Sequence, residues 1–123
     1  MIEINNNQYL DIAKDFGTPT YVYDLDLIKT RYDELRQFIA WPKLKIHYAM
    51  KANCNIHVLK LIRELDGYLD TVSPAEVLLA QKAGFTADRL LYTANNLTEK
   101  EVEDVHNSGV LFNIGSLSRL EKY

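Results

Sequence analysis

Lys51 closes the run Lys45-Ile46-His47-Tyr48-Ala49-Met50-Lys51, and Ala52-Asn53 follow at once. The run predicts a short, mostly apolar strand over 45–51 with an amine at its C-terminal end, turning directly into a helix. Such strand ends are where α/β folds gather their chemistry. A lysine stem is flexible, and its amine loses a proton readily when desolvated, so the position suits imine formation with a carbonyl. Alternation puts Lys45, His47, Ala49 and Lys51 on one face and Ile46, Tyr48 and Met50 on the other. Ala49, one pleat below the amine, is small enough to leave room for a flat ring. Position alone nevertheless favours the plainer reading, a solvated lysine at a strand end.

A second group is Leu69-Asp70-Thr71-Val72-Ser73-Pro74-Ala75-Glu76. Asp70 falls near the C-terminal end of its predicted strand, on the same rim as Lys51. Ser73 has the form of an N-cap, Pro74 of a first helical residue, and Glu76 of a capping-box partner. That is a complete structural account of Ser73 and Glu76. Thr98 with Glu101 makes another capping box, Ser116 is most simply an N-cap, and Asn95 and Asn96 read as turn residues. His47 is expected on the inward face below the lysine, and His57 and His106 on solvated helix surfaces. One cysteine and no helical His/carboxylate pair at i, i+4 give no metal site. Nothing marks Cys54 as a thiolate nucleophile. Neither G-x-G-x-x-G nor G-x-x-x-x-G-K-[ST] occurs, so no phosphate cradle is visible.

The elements that must position these residues follow from periodicity. After the turn Gly17-Thr18-Pro19, residues 20–23 read as a strand. Leu25, Ile28, Tyr32, Leu35 and Ile39 then recur at steps of three and four, predicting an amphipathic helix capped by Asp24 or Asp26 and ended by Trp41-Pro42. Strand 45–51 precedes a helix over 55–65 with Val58, Leu59, Ile62 and Leu65 on one face. Strand 68–72 precedes a helix over 74–83 stopped by Gly84, and strand 89–94 a helix over 99–108 stopped by Gly109. Strand 110–114 leads into a helix from Ser116 to Tyr123. Strand starts recur at roughly 20-odd residues, the period of βα units. Alternating strands and helices predict an α/β fold with a parallel sheet and right-handed crossovers. A small doubly wound sheet could be complete at this size. A (β/α)8 barrel needs eight units over ~250 residues, so about four units would make its N-terminal half. The last helix, still amphipathic through Leu117 and Leu120, meets no C-terminal cap, and the chain reads as part of a longer enzyme.

Composition bounds the rest. The 123 residues are 47% hydrophobic and 25% charged, which fits a soluble domain with a core. A net charge of -3 gives no basic footprint for nucleic acid. The single cysteine excludes an internal disulfide framework and suits a reducing cytoplasm. The N-terminus is rich in asparagine without the apolar core of a secretory signal, and no apolar run is long enough to span a bilayer.

The block His47-Tyr48-Ala49-Met50-Lys51-Ala52-Asn53 resembles the lysine segment of the alanine-racemase-like barrel decarboxylases that use pyridoxal 5'-phosphate (PLP). The entry Thr18-Pro19-Thr20-Tyr21-Val22-Tyr23-Asp24, the Asp70 to Glu76 block and Ala83-Gly84-Phe85 follow in that family's order. Alanine racemases share Lys-Ala-Asn but usually continue into Tyr-Gly. Cys54-Asn55-Ile56-His57 stands here instead, which favours the decarboxylases. The resemblance implies that residues 25–123 are part of a PLP-binding (β/α)8 barrel, and that residues 1–24 supply a strand to a β domain. It implies Lys51 as the cofactor lysine, with Asp70, Glu76 and Ala49 in the cofactor pocket and Asp70 exchanging protons with the lysine. The implied reaction is decarboxylation of meso-diaminopimelate to L-lysine, in lysine biosynthesis, by a cytoplasmic homodimer. Ornithine, arginine and carboxynorspermidine decarboxylases are neighbours, as is a non-catalytic PLP-binding homologue. The ring-nitrogen, phosphate and second-subunit contacts would lie beyond Tyr123, so this segment alone should be inactive, with an open sheet edge prone to association.

Overall fold

The computed structural model describes residues 6–95 and 97–122, and divides into two compact units, residues 1–39 and 40–123. Residues 1–5, Asn96 and Tyr123 lie outside the described residues, and with them one expected turn residue and the expected end of the last helix.

The first unit holds two helices, α1 (Asn6–Phe16) and α2 (Leu25–Phe38). Helix α1 was not expected. Its asparagine-rich start hides Tyr9, Leu10, Ile12, Ala13 and Phe16, which recur at helical spacing. Asp24 caps α2, its Oδ1 accepting from the Leu27 N–H at 2.9 Å. Tyr32, on the predicted apolar face, is buried. The expected strand over 20–23 is not formed. Residues 20–24 pair with no other strand, and Tyr21 is 91% exposed. A run of β-formers becomes a strand only where a partner accepts its ladder, and among the described residues none does.

The second unit is built of βα repeats. Its strands are β1 (His47–Ala49), β2 (Tyr68–Thr71), β3 (Leu90–Tyr92) and β4 (Leu111–Phe112). The helices that follow them are α3 (Ile56–Glu64), α4 (Pro74–Lys82), α5 (Glu99–Asn107) and α6 (Leu117–Lys122). All neighbouring strands are parallel, in the order β1-β2-β3-β4. A doubly wound sheet reverses its order at a switch point, whereas a barrel winds one way. The monotonic order here is that of consecutive barrel units and disfavours the doubly wound alternative.

The two sheet faces differ. Leu69, Thr71, Leu90 and Tyr92 are each at most 1% exposed and form a core with Val58, Leu59 and Ile62 of α3, Val77 and Ala80 of α4, and Val105 of α5. Burying each large apolar side chain stabilises by about 1.5–3 kcal/mol. The opposite face carries His47, Ala49, Tyr68, Asp70, Leu91 and Thr93, all half-buried. Helices α4 and α5 stop where expected, with Gly84 at φ +93° and Gly109 at φ +72°.

Candidate active site

In a parallel sheet all strands end on one edge, so the segments after Ala49, Thr71, Tyr92 and Phe112 share a rim. Lys51 stands on that rim, though not in the strand. Strand β1 ends at Ala49, and Met50–Ala52 form a single 3-10 turn that packs beside β2. The predicted strand over 45–51 is corrected accordingly. Met50 continues the parity of Tyr48 and is driven into the core, at 1% exposure, and the chain curls around it. Lys51 is thereby turned outward and exposed. It makes no ion pair or hydrogen bond among the described residues.

Two asparagines fix the link from this turn to α3. Asn53 Oδ1 accepts from the Asn55 N–H at 2.9 Å, and Asn55 Oδ1 caps α3 by accepting from the His57 N–H at 2.9 Å. The Tyr48 hydroxyl donates to the Asn53 carbonyl at 3.2 Å. Lys51 is thus an exposed side chain on a tethered backbone.

Asp70 is the register partner of Ala49 and lies on the same half-buried face. Its Oδ1 accepts from the Thr93 hydroxyl at 2.6 Å. Thr93 itself is held by its backbone N–H, which donates to the Thr71 carbonyl at 3.0 Å. Sequence reasoning missed Thr93. Its only signal was a hydroxyl at the exit of β3, and its meaning depends on the β2–β3 register.

Glu76 is placed differently from the expected capping box. Ser73 Oγ accepts from the Glu76 N–H at 3.2 Å, as predicted, but Glu76 Oε2 accepts from the N–H of Val72 at 2.7 Å, one residue before the cap. The carboxylate closes the β2–α4 turn. At the next unit the reciprocal box forms as expected. Thr98 N–H and Oγ1 both donate to Glu101 Oε2 at 2.8 Å, and Thr98 Oγ1 accepts from the Glu101 N–H at 3.3 Å. These bonds, the backbone one foremost, hold the Glu101 carboxyl below its ordinary range. Ser116 caps α6, accepting from the Arg119 N–H at 3.3 Å. The exits of β3 and β4 approach closely, since a Cβ on Gly115 would come within 2.9 Å of Asn95 Oδ1.

The opposite edge of the sheet carries a different cluster. Tyr68 has Lys45 Nζ at 5.0 Å, the Arg89 guanidinium at 5.2 Å and the His47 ring at 5.1 Å, and Arg89 pairs with Asp66 at 2.5 Å. In barrels the N-terminal face serves stability, and chemistry gathers at the C-terminal face. His47 lies on the face expected for it. His57, His106 and Cys54 are exposed. Among the described residues no group of three or more His, Cys, Asp or Glu could hold a metal ion, and no helix is long and apolar enough to cross a membrane.

Comparison with known proteins adds to this geometry. Residues 25–123 match the family described as pyridoxal-dependent decarboxylase, pyridoxal binding domain. Diaminopimelate decarboxylase of Aquifex aeolicus is 43% identical over 112 residues, covering 90% of this chain and 26% of that protein. Among solved structures, diaminopimelate decarboxylase from Helicobacter pylori complexed with L-lysine superposes with a TM-score of 0.84 at 31% identity, covering 92% of this chain and 29% of that one. Lysine/ornithine decarboxylase from Vibrio vulnificus, complexed with putrescine, superposes with a TM-score of 0.86 at 26% identity, covering 94% and 32%. The chain therefore spans between a quarter and a third of the length of these relatives.

Proposed function

The chain belongs to the pyridoxal-dependent decarboxylases, matching their pyridoxal-binding domain, and from that premise we propose that it is the lysine-bearing part of an enzyme that decarboxylates meso-diaminopimelate to L-lysine. The observation that carries the reading is the exposed Lys51 amine, unpaired among the described residues, on the same sheet rim as the Asp70–Thr93 pair. That arrangement fits PLP, because an aldehyde needs an amine that no carboxylate has already engaged. Lys51 would hold the cofactor covalently, and Ala49 would leave space for its ring. When bound, PLP supplies an electron sink for the bond that the departing carboxylate leaves behind.

The chain's own residues do the rest. Lys51 Nζ gives up a proton to become a nucleophile and takes one back on release. Asp70, with Oδ1 held by Thr93, offers Oδ2 as the nearby base and acid for that exchange. The tethered turn over 50–55 keeps the lysine's backbone still while its side chain moves. Glu76 acts on the pocket by fixing the turn that follows the strand carrying Asp70. Residues 25–123 form the first part of the barrel in this reading, within a cytoplasmic homodimer. The diaminopimelate relatives support the substrate at the higher identity; the alternatives are another decarboxylase of basic amino acids (ornithine, arginine or carboxynorspermidine), of which the Vibrio vulnificus neighbour speaks for ornithine, or a non-catalytic PLP-binding homologue.

The test uses the full-length enzyme. Borohydride should trap PLP on Lys51, read by peptide mass, and Lys51→Ala should abolish the adduct. Carbon dioxide release should be faster from meso-diaminopimelate than from ornithine. An unmodified Lys51 sinks the cofactor assignment, and a preference for ornithine sinks the substrate.

A further inference from the structure

We infer that Thr93 is a positioning residue for Asp70, and that it acts on Lys51 only through that carboxylate; this rests on the reading of Lys51 as the cofactor lysine. Four observations carry it. The Thr93 hydroxyl donates to Asp70 Oδ1 at 2.6 Å, a short bond of the charge-assisted kind. Among the described residues it is the only bond to that carboxylate. The Thr93 backbone N–H donates to the Thr71 carbonyl of β2, so the base of the Thr93 side chain is fixed relative to the strand that carries Asp70. Finally, threonine is β-branched and stiff about its first side-chain torsion, so a fixed backbone fixes the hydroxyl too.

The consequence is geometric. Leu91 is the register partner of Asp70, and Thr93 lies one pleat further along the same face. Its bond draws Oδ1 toward β3 and leaves Oδ2 without a hydrogen bond among the described residues. Without it, a carboxylate beside a flexible ammonium is free to swing into a direct ion pair, which would hold the proton on Nζ and block attack on an aldehyde. Lys51 forms no such pair here. Holding a base near a lysine without letting it neutralise the lysine requires a third group, and Thr93 is placed to be that group.

The test measures the initial rate of borohydride-trapped PLP attachment at Lys51 in the full-length enzyme. It compares wild type, Thr93→Val, Thr93→Ser, Asp70→Asn and the Asp70→Asn/Thr93→Val double variant. Losing one charge-assisted bond should slow Thr93→Val on the order of tenfold. Thr93→Ser, which keeps the hydroxyl, should stay within about twofold of wild type, and the double variant should match Asp70→Asn alone. Thr93→Ala replaces Thr93→Val if the latter does not fold. A Thr93→Val rate equal to wild type, or a further fall when it is added to Asp70→Asn, overturns the inference while leaving the cofactor assignment intact. No attachment in wild type removes both.

Discussion

The carboxylate of Glu76 accepts a hydrogen bond from the backbone N–H of Val72 at 2.7 Å and so spans the turn between β2 and α4. A part-buried N–H left without its acceptor costs free energy comparable to a lost hydrogen bond. Glu76→Ala should therefore lower stability by about 1–2 kcal/mol. Glu76→Gln, whose amide oxygen accepts the same bond, should recover most of it. Urea unfolding of both variants checks this. Equal losses would mean that the charge, not the bond, matters here.

Tyr92 carries the one buried side-chain polar atom that lacks a hydrogen-bond partner among the described residues, its phenol oxygen. The ring is fully buried and stacks on Phe112 at 5.5 Å. Burial foremost, then the charges of Glu101 and Glu76, pushes the phenol above its ordinary value. A raised value in the folded state means this stabilisation is complete below the ordinary tyrosine range of about 10 and is lost as pH rises through the higher folded value. Tyr92→Phe should raise stability at pH 7 by about 1 kcal/mol, because it removes an unsatisfied hydroxyl while keeping the ring. It should also flatten the loss of stability between pH 9 and pH 11, on the order of the range where tyrosines titrate. Denaturation midpoints of the two proteins across that range measure both effects.

Strand positions, helix faces and most caps were legible because they are written in local spacing. Leu59, Ile62 and Val58 reveal α3 by their period, and Ser73-Pro74 announces α4 without any tertiary knowledge. Other features were not legible, several of them for a physical reason. Residues 20–23 have strand-forming side chains, but pairing is non-local and no described strand accepts them. Alternation alone would carry β1 on through Lys51, whereas the strand ends two residues earlier, at Ala49, in a 3-10 turn. The Thr93–Asp70 bond depends on how β2 and β3 are staggered, and a one-residue slip would have put the two side chains on opposite faces.

At the start of α5, Thr98 and Glu101 satisfy each other, and the Thr98 backbone N–H and hydroxyl hold the Glu101 carboxyl below its ordinary value. A lowered value in the folded state gives stabilisation that is present above the ordinary glutamate range, about 4.3, and lost as pH falls through the lower folded value. Protection of the first α5 amides against hydrogen exchange should therefore weaken as the pH is lowered from about 5 to 3. In Glu101→Gln that dependence should vanish. A variant that kept the full acid response would assign it to another carboxylate.

Gly84 ends α4 with φ at +93°, and a Cβ there would run into the Arg63 guanidinium. These two obstacles differ in kind. Arg63 is exposed and its head group can move aside, whereas the backbone angle is set by the return of the chain, in which the Phe85 N–H donates to the Ala80 carbonyl at 3.1 Å. The angle should therefore dominate. Gly84→Ala should cost about 1–2 kcal/mol, the penalty for a side chain in the left-handed region. Adding Arg63→Ala should restore little of it, and thermal unfolding of the single and double variants separates the two causes. Near-complete rescue by Arg63→Ala would show that the steric contact, and not the backbone, makes glycine necessary at this cap.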